Sequence, residues 1–562
     1  MIPGLPKFGQ KARNLAPFLA AMAAFVGPSA AQSFDDVESA YREYLDRPSL
    51  FKRTLGRHKL AATRDPRALE ILVKDYARPE DPEQVNRYLI ADIAMRAFGA
   101  RADRGVLGEW RLKYDDPEDS WLWFTTLEPT AVEQFDFVRE TVTGRHDPFI
   151  RFAALEATAS RVRDVNSPDG LPLLCEELLA DLPRKDVERA LATEGVAGVI
   201  LGMKSKVRSD PWKDICSRLI DQLDDEDTPE RTKVVISRHL AQTFGVSNLG
   251  LDSYWWRSEL ERRPQKEVRE GATTTVPFFS VRTFGYRFVY VIDASDSMLA
   301  RVTDREKKDL GPTTGRPKPK DEGESGFVPD ADDIDWARVI TRFDAAREYL
   351  RLSLSSLSKE HSFAVVLFGD EARCLDATPK LIRATPGAIR KVLAELNDIE
   401  PGPKTDRRPL GQLRGQTNLH AGFRKAFEVT TRGEVRGAEY VDPKGMIDGC
   451  DTIFVLSDGA PSWDDFGERD SRDPEDQAGD PETGRTFENV PTLLFQGPYA
   501  RGGLIDGPVR VPYELLVRDV RRMNMFRRAE IHCVGIGEAN HQLLESLADI
   551  GLGQALRVEG EK

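Results

Sequence analysis

The spacing of apolar residues changes character after the stretch ERRPQKEVREGATTT. Before it, from about residue 34 to 262, apolar positions recur every three or four residues, as on one face of a helix. The punctuation agrees. Asp65-Pro66, Asp81-Pro82, Asp116-Pro117, Asp147-Pro148, Ser167-Pro168, Asp210-Pro211 and Thr228-Pro229 each precede an apolar-periodic run. A capping oxygen followed by proline at the first helical position marks a helix start. The runs read as antiparallel pairs: PRALEILVKDYA with PEQVNRYLIADIAMRAF, AVEQFDFVRETV with PFIRFAALEATASRV, PDGLPLLCEELLADL with RKDVERALATEGVAGVIL, and PWKDICSRLIDQL with PERTKVVISRHLAQTF. The later pairs recur at roughly forty residues, the period of HEAT-type repeats. One pair cannot bury its apolar stripe alone, so neighbours are expected to stack into an array with an extended face. An irregular helical domain is the alternative. The aromatic cluster YWWRSEL (Tyr254, Trp255, Trp256) closes this region, either as a capping core or as an exposed binding patch.

Beyond the charged stretch, short β-rich runs appear: RFVYVID (287–293), SFAVVLF (362–368), DTIFVLS (451–457) and AEIHCVGIG (529–537). Nearly continuous apolarity is the pattern of strands covered on both faces. Helical patterns lie between them: ARVITRFDAAREYLRLSLSSL, PGAIRKVLAEL, LHAGFRKAFEVT and PYELLVRDVRRMNMFRR. Alternation of strand and helix predicts a doubly wound α/β domain with a mostly parallel sheet. The expected organisation is multidomain: an all-α HEAT-like region at 32–262, a linker at 263–280, and an α/β domain at 281–562. Polar insertions rich in charge, Pro and Gly interrupt the last at about 303–335 and 463–490, where loops or partial disorder are expected.

Composition narrows the function classes. At 562 residues the chain is too long for one core. A formal net charge of -13 argues against nucleic acid as the main partner, because phosphate binding needs a basic face. Residues 1–31 read as a signal peptide: Lys7, Lys11 and Arg13, then LAPFLAAMAAFV, then small residues at Ser29 and Ala31 before Gln32. An uncleaved anchor is the alternative. No later run is long enough to cross a bilayer, so an exported chain is expected, in the periplasm, at the cell surface or beyond. The five cysteines are scattered and odd in number, which suggests buried thiols with at most one bridge.

The candidate chemistry sits at VIDASDSM (291–298). An apolar strand ends in Asp293, and Ser295 and Ser297 follow at alternate positions. In open α/β sheets ligands bind at the carboxyl ends of the strands. Two more oxygen sources have corresponding places: Thr417 in GQTNL opens a helix, and Asp458 in VLSDGAP ends another strand. Two acids and three hydroxyls suit a hard divalent cation. Neutral hydroxyl ligands leave the cation much of its charge, so it can attract a carboxylate from outside.

From about 287 to 558 the chain resembles a von Willebrand factor type A (vWA) domain. DASDS matches the DxSxS element of that family's metal-ion-dependent adhesion site, Thr417 its threonine, and Asp458 its distal aspartate in the SDG setting. IHCVGIGEANHQLLESLAD resembles the late strand and helix. The resemblance implies that Ser295, Ser297 and Thr417 ligate the metal by their hydroxyls, with Asp293 and Asp458 acting directly or through waters. It implies Mg2+ first, with Mn2+ or Ca2+ as alternatives, and a protein partner that presents an acidic residue. Two departures matter. Asp296 stands where glycine is common, which puts an extra carboxylate near the site and works against an acidic ligand. The acidic insertion after Asp458, with Glu468 and Asp470, offers an internal ligand that could fill the metal's open position.

Enzyme readings find less support. A haloacid-dehalogenase-like phosphatase needs a second Asp two positions after the first, where Ser295 stands. No GxSxG, HExxH or GxxxxGK[ST] motif is present. His420, beside the Thr417 loop, reads as a catalytic base or as a packed helix residue, and His532 as a strand residue. The expectation is a non-enzymatic, exported binding or scaffold protein. The alternatives are a structural protein whose metal only stabilises the fold and, remotely, a metal-dependent hydrolase.

Overall fold

The computed structural model describes residues 33–46, 50–77, 84–99, 104–164, 166–262, 275–279, 281–310, 334–413, 417–435, 442–459, 461, 511–537 and 539–559. The expected signal at 1–31, the 463–490 insertion and most of the 303–335 insertion lie outside the described residues. The fold class is the expected one: an all-α region followed by a doubly wound, mostly parallel sheet.

The first region contains α1 (Phe34–Leu45), α2 (Leu50–Ala62), α3 (Pro66–Tyr76), α4 (Gln84–Phe98), α5 (Arg104–Lys113), α6 (Ser120–Leu127), α7 (Phe135–Thr143), α8 (Pro148–Arg161), α9 (Leu171–Ala180), α10 (Asp186–Gly202), α11 (Trp212–Asp221), α12 (Glu230–Phe244) and α13 (Ser253–Leu260). Asp65 and Asp147 accept from the backbone N–H two residues on, each at 2.9 Å, with proline opening the helix as the punctuation predicts. At Asp210-Pro211 and Thr228-Pro229 the proline is itself the cap residue, and the helix starts one position later. Proline's fixed φ suits both places.

Helices α8, α10 and α12 pack side by side as one layer, with α7 packed on α8 and α9 packed on α10 and α11. The small residues of ALATEGVAGV allow the close approach of α10 to α8. A Cβ on Gly195 would stand 2.6 Å from Leu155 Cδ2. Every residue of α6 is buried, which explains its unbroken SWLWFTTL sequence. Among the described residues no helix is long and apolar enough to cross a membrane. All five cysteines are free thiols.

The sheet has the order β11-β10-β9-β3-β4-β5. Its parallel strands are β3 (Arg287–Asp293), β4 (Ser362–Phe368), β9 (Thr452–Ser457), β10 (Glu530–Gly537) and β11 (Ala555–Glu559). The short strands β5 (Ala372–Cys374) and β6 (Ile382–Arg383) pair antiparallel with β4. Alternate residues of β3 enter different cores. Phe288, Tyr290 and Ile292 face one side, and Val289 and Val291 the other. Helix α15 (Arg342–Ser355) covers the first side, and α17 (Leu419–Glu428), α19 (Val511–Asn524) and α20 (His541–Ile550) cover the second.

Two expectations need correction. The hairpin of β1 (Val276–Phe278) and β2 (Val281–Thr283) falls within or beside the expected linker. Phe278 is buried and packs edge-on to Tyr290 at 5.4 Å and tilted against Phe454 at 5.1 Å, so the α/β region begins before residue 281. The 303–335 insertion opens with a helix, α14 (Asp304–Leu310).

The two regions also share a packed boundary. Met446, Met525 and Phe526 of the α/β region belong to the core of the array, and Phe526 meets Phe149 edge-on at 5.2 Å. Arg238 of α12 reaches the amino ends of the strands. It donates to the Phe284 carbonyl at 2.7 Å and the Thr452 hydroxyl at 2.6 Å, and pairs with Asp451 and Glu530. Burial pushes the Glu530 carboxyl up, but Arg238 and His532, with the Thr283 hydroxyl, outweigh it and hold it down to about 2. A depressed carboxyl stabilises the fold above its ordinary value of 4.5 and loses that contribution as pH falls toward 2. Thermal melts across that window are expected to fall more steeply for wild type than for Glu530→Gln.

Candidate metal centre

Strand β3 delivers Asp293 fully buried to the carboxyl edge of the sheet. The side chain is clamped on both oxygens. Ser295 N–H donates to Oδ1 at 2.9 Å, and the Ser457 hydroxyl, at the end of β9, donates to Oδ2 at 2.7 Å. The chain then makes a single 3-10 turn, Asp296–Leu299, which sets Ser295 Oγ 2.9 Å from Ser297 Oγ. Ser297 Oγ donates to Asp458 Oδ1 at 2.6 Å.

Thr417 arrives from a third direction. The neighbouring Asn418 ties its loop to β4: its N–H donates to the Gly369 carbonyl at 2.7 Å and its amide to the Asp370 carbonyl at 3.0 Å. Asn418 Oδ1 also caps α17. A Cβ built on Gly459 would lie 3.7 Å from both Ser297 Oγ and Thr417 Oγ1, so both hydroxyls face the space over Gly459. The structure thus brings all five residues expected from the sequence to one place, and four of them are at most 6% exposed: Asp293, Ser295, Thr417 and Asp458.

The electrostatics fit a divalent cation. Burial pushes Asp293 up to about 7, with the negative charge of Asp458 adding to it; the Ser295 and Ser457 hydrogen bonds pull the other way. Burial raises Asp458 as well, against bonds from Ser297 and Arg342. Arg342, the first residue of α15, pairs with Asp458 Oδ2 and Glu306 Oε1, each at 3.0 Å. Ionised, the carboxylates of Asp293, Asp458 and Glu306 against the one guanidinium of Arg342 leave two negative charges in a buried cluster. Among the described residues no group of three or more His, Cys, Asp or Glu side chains could hold a metal. A metal held here would draw on hydroxyls, and three hydroxyls with two carboxylates suit Mg2+.

Arg342, Glu306 and Ser457 were not singled out from the sequence. Ser457 had a signal, since it adjoins Asp458 in the same motif. Arg342 and Glu306 had none, because a long insertion separates them from each other. Arg342 passes over Gly537, whose φ of +65° and missing Cβ leave it room.

The expectation for Asp296 is corrected. Its carboxylate turns to Arg408 Nη1 at 2.5 Å, over Gly402 in a positive-φ turn (φ 78°). Gly402 N–H in turn bonds the Ala294 carbonyl at 2.9 Å. Asp296 therefore pins the 401–413 loop beside the site, with its charge matched by Arg408. His420 is fully buried, with Nε2 2.8 Å from Asp519 Oδ2, which is the packed alternative. His532 is buried in β10. Glu468 and Asp470 lie outside the described residues.

No family model matches the chain, and no curated protein matches it. Among solved structures, the chain is similar to "von Willebrand factor type A from Catenulispora acidiphila" at 16% identity, over 49% of this chain and 39% of that one, with a TM-score of 0.25. The match spans well under two thirds of that chain, and so low a score carries no argument. The fold assignment rests on strand order and register.

Proposed function

We propose that this protein is a non-enzymatic binding protein whose vWA-like region uses a divalent cation, Mg2+ first, to recruit an acidic residue of a protein partner. The observation that carries the reading is the gathering of Asp293, Ser295, Ser297, Thr417 and Asp458, from three separate loops, into a buried cluster that, with Glu306 and Arg342 beside it, is short of two positive charges when its carboxylates are ionised. Bound there, the cation would supply a Lewis-acidic point of attraction for a partner carboxylate. The chain's own residues do the rest. Ser457 and the Ser295 N–H fix Asp293, and Arg342 orients Asp458. Asp296 and Arg408 hold the rim loop, on which Lys404 and Arg407 are exposed beside one exposed acid, Asp406, leaving a net positive charge toward an acidic partner. Export through residues 1–31 belongs to the same proposal. The packed boundary gives the helical array the role of a rigid support and second surface.

Peptides presenting one Asp or Glu are expected to bind the magnesium-loaded protein, with binding lost on chelation and in Asp458→Ala. Peptide binding that survives both would sink the reading. A melting temperature that rises with magnesium, without any carboxylate ligand, would favour a purely structural metal.

A further inference from the structure

The aromatic residues that close the array frame a second cleft, at the opposite end of the sheet. Its volume is about 260 Å³, and Trp255, Phe284, Tyr286, Asp252, Glu360 and His361 line it. Tyr286 immediately precedes β3 and His361 immediately precedes β4, whereas Asp293 ends β3. Seven strand residues put the two sites roughly 20 Å apart. The volume is near the lower bound of ligand pockets, roughly 300 Å³, and suits a side chain or a small molecule.

Four rings, those of Trp255, Phe284, Tyr286 and His361, form part of the wall, and the exposed carboxylates of Asp252 and Glu360 border it. Tyr286 lies edge-on to Phe284 at 5.5 Å and 5.8 Å from the His361 ring. Trp255 packs edge-on at 5.2 Å to Tyr254, which is 62% exposed. His361 adds no positive charge: its Nδ1 accepts from Ser358 N–H at 2.9 Å, and burial lowers its pKa. Asp252 and Glu360 are exposed, and among the described residues neither carboxylate has a recorded ion pair. Asp252 uses one oxygen to cap α13. The nearby cations are otherwise engaged or turned outward. Arg383 bonds the backbone carbonyl of Glu360 at 2.8 Å, Arg238 is held by Asp451 and Glu530, and Lys359 is exposed. Besides burial, the charges acting on the Tyr286 hydroxyl are those of Glu230, Glu360 and Asp451, all negative.

Aromatic rings with carboxylates at the rim attract a cation that also has apolar surface to bury. A bare metal ion is poorly served, because the rings offer it no oxygen ligands. An anion is repelled. We propose that this cleft binds an organic cation, an alkylammonium or guanidinium group, between Trp255 and Tyr286 with Asp252 and Glu360 at its mouth. The group comes either from a free small molecule or from a lysine or arginine side chain of a partner.

The test is calorimetry on the full chain with N-acetyl-arginine amide, N-acetyl-lysine amide and tetramethylammonium, against N-acetyl-citrulline amide and N-acetyl-norleucine amide as neutral counterparts. At least one cation is expected to bind in the millimolar range, with its neutral counterpart about tenfold weaker or worse. Trp255→Ala should weaken binding about tenfold and Glu360→Gln about threefold. Glu360 is exposed, so its variant stays informative if Trp255→Ala fails to fold; melting curves establish which variants are folded. Binding of the amino-acid amides alone points to a partner side chain, and binding of tetramethylammonium alone to a free cation. Equal binding of neutral counterparts, unchanged affinity in folded Glu360→Gln, or no cation binding at the highest soluble concentration overturns the proposal.

Discussion

Magnesium titrated into chelator-stripped protein is expected to bind wild type and to show no binding to Ser295→Ala or Asp458→Ala. Each substitution removes an oxygen that the cluster cannot replace from elsewhere. Ser295 Oγ lies between the Ser297 hydroxyl and the Asp293 carboxyl, and the neighbouring protein oxygens are already fixed in mutual bonds. Outer-shell changes alone cost about 10- to 100-fold in metal affinity, so loss of a direct ligand is expected to exceed about 100-fold. The pH dependence is a second readout. Burial and the neighbouring Asp458 charge raise the Asp293 carboxyl far above its ordinary range, so in acid a proton is held where the cation's charge is needed. Affinity should rise as pH is raised from acid to neutral and then level off, with protons released by the Asp293–Asp458 pair as the ion binds. The sign for stability follows. A carboxyl whose folded pKa is raised stabilises the metal-free fold below its ordinary value of 3.8, and that contribution is lost as pH rises through about 7. Magnesium should therefore raise the melting temperature more at pH 8 than at pH 5.5. A folded wild type that binds no magnesium at pH 8 would remove the metal from the proposed function.

Much of this site was legible in the sequence because its chemistry is attached to strong local signals. RFVYVID and SFAVVLF are seven-residue apolar runs and form strands over those same residues. A buried parallel strand that ends in Asp can only present that side chain at the carboxyl edge. Thr417 and Asp458 were legible for the same reason, one before a helix start and one after a strand. Arg342 was not, since a charged residue opening an amphipathic helix looks solvated. The boundary between the regions was illegible on similar grounds. In ERTKVVISRHLAQTF the polar positions read as a water-facing stripe. In the structure Arg231, Thr232, Arg238 and His239 are buried on that helix, because the α/β region lies against it. Periodicity tells which face is apolar and cannot tell that the polar face meets another part of the same chain. The charged run after residue 261 likewise looked like a spacer between independent domains, while the contacts that join them lie far apart in sequence.

Arg231→Ala is expected to destabilise the protein by about 3–5 kcal/mol, the range for breaking a buried ion pair by removing one partner. Arg231 is 1% exposed, and its Nη1 donates to Glu194 Oε1 at 2.7 Å. Glu194 is equally buried and otherwise holds only the Thr232 hydroxyl at 2.9 Å and the more distant Arg528 at 3.8 Å. Arg528, on the α/β side, is committed to Glu156 and to His239 Nε2. The latter accepts because His239 Nδ1 faces the Val235 carbonyl and burial, with the Arg528 charge, lowers the ring to about 3, leaving it neutral. Removing Arg231 strands a buried carboxylate at the boundary and also takes away a donor to the Phe526 carbonyl. Urea unfolding measures the cost. Arg257→Ala breaks the exposed pair with Asp221 and should cost less than about 1 kcal/mol. The double change Arg231→Met with Glu194→Leu should recover much of the loss, since apolar side chains of similar volume often replace a buried pair at little cost. The same variants test whether the array and the sheet behave as one body. Two separate unfolding transitions in wild type would show that this boundary does not couple them, and an Arg231→Ala variant within about 1 kcal/mol of wild type would show that the buried pair contributes no more than an exposed one. A single transition that Arg231→Ala splits in two would show that Arg231, which holds Glu194 of the array and donates to the Phe526 carbonyl across the boundary, couples the two regions.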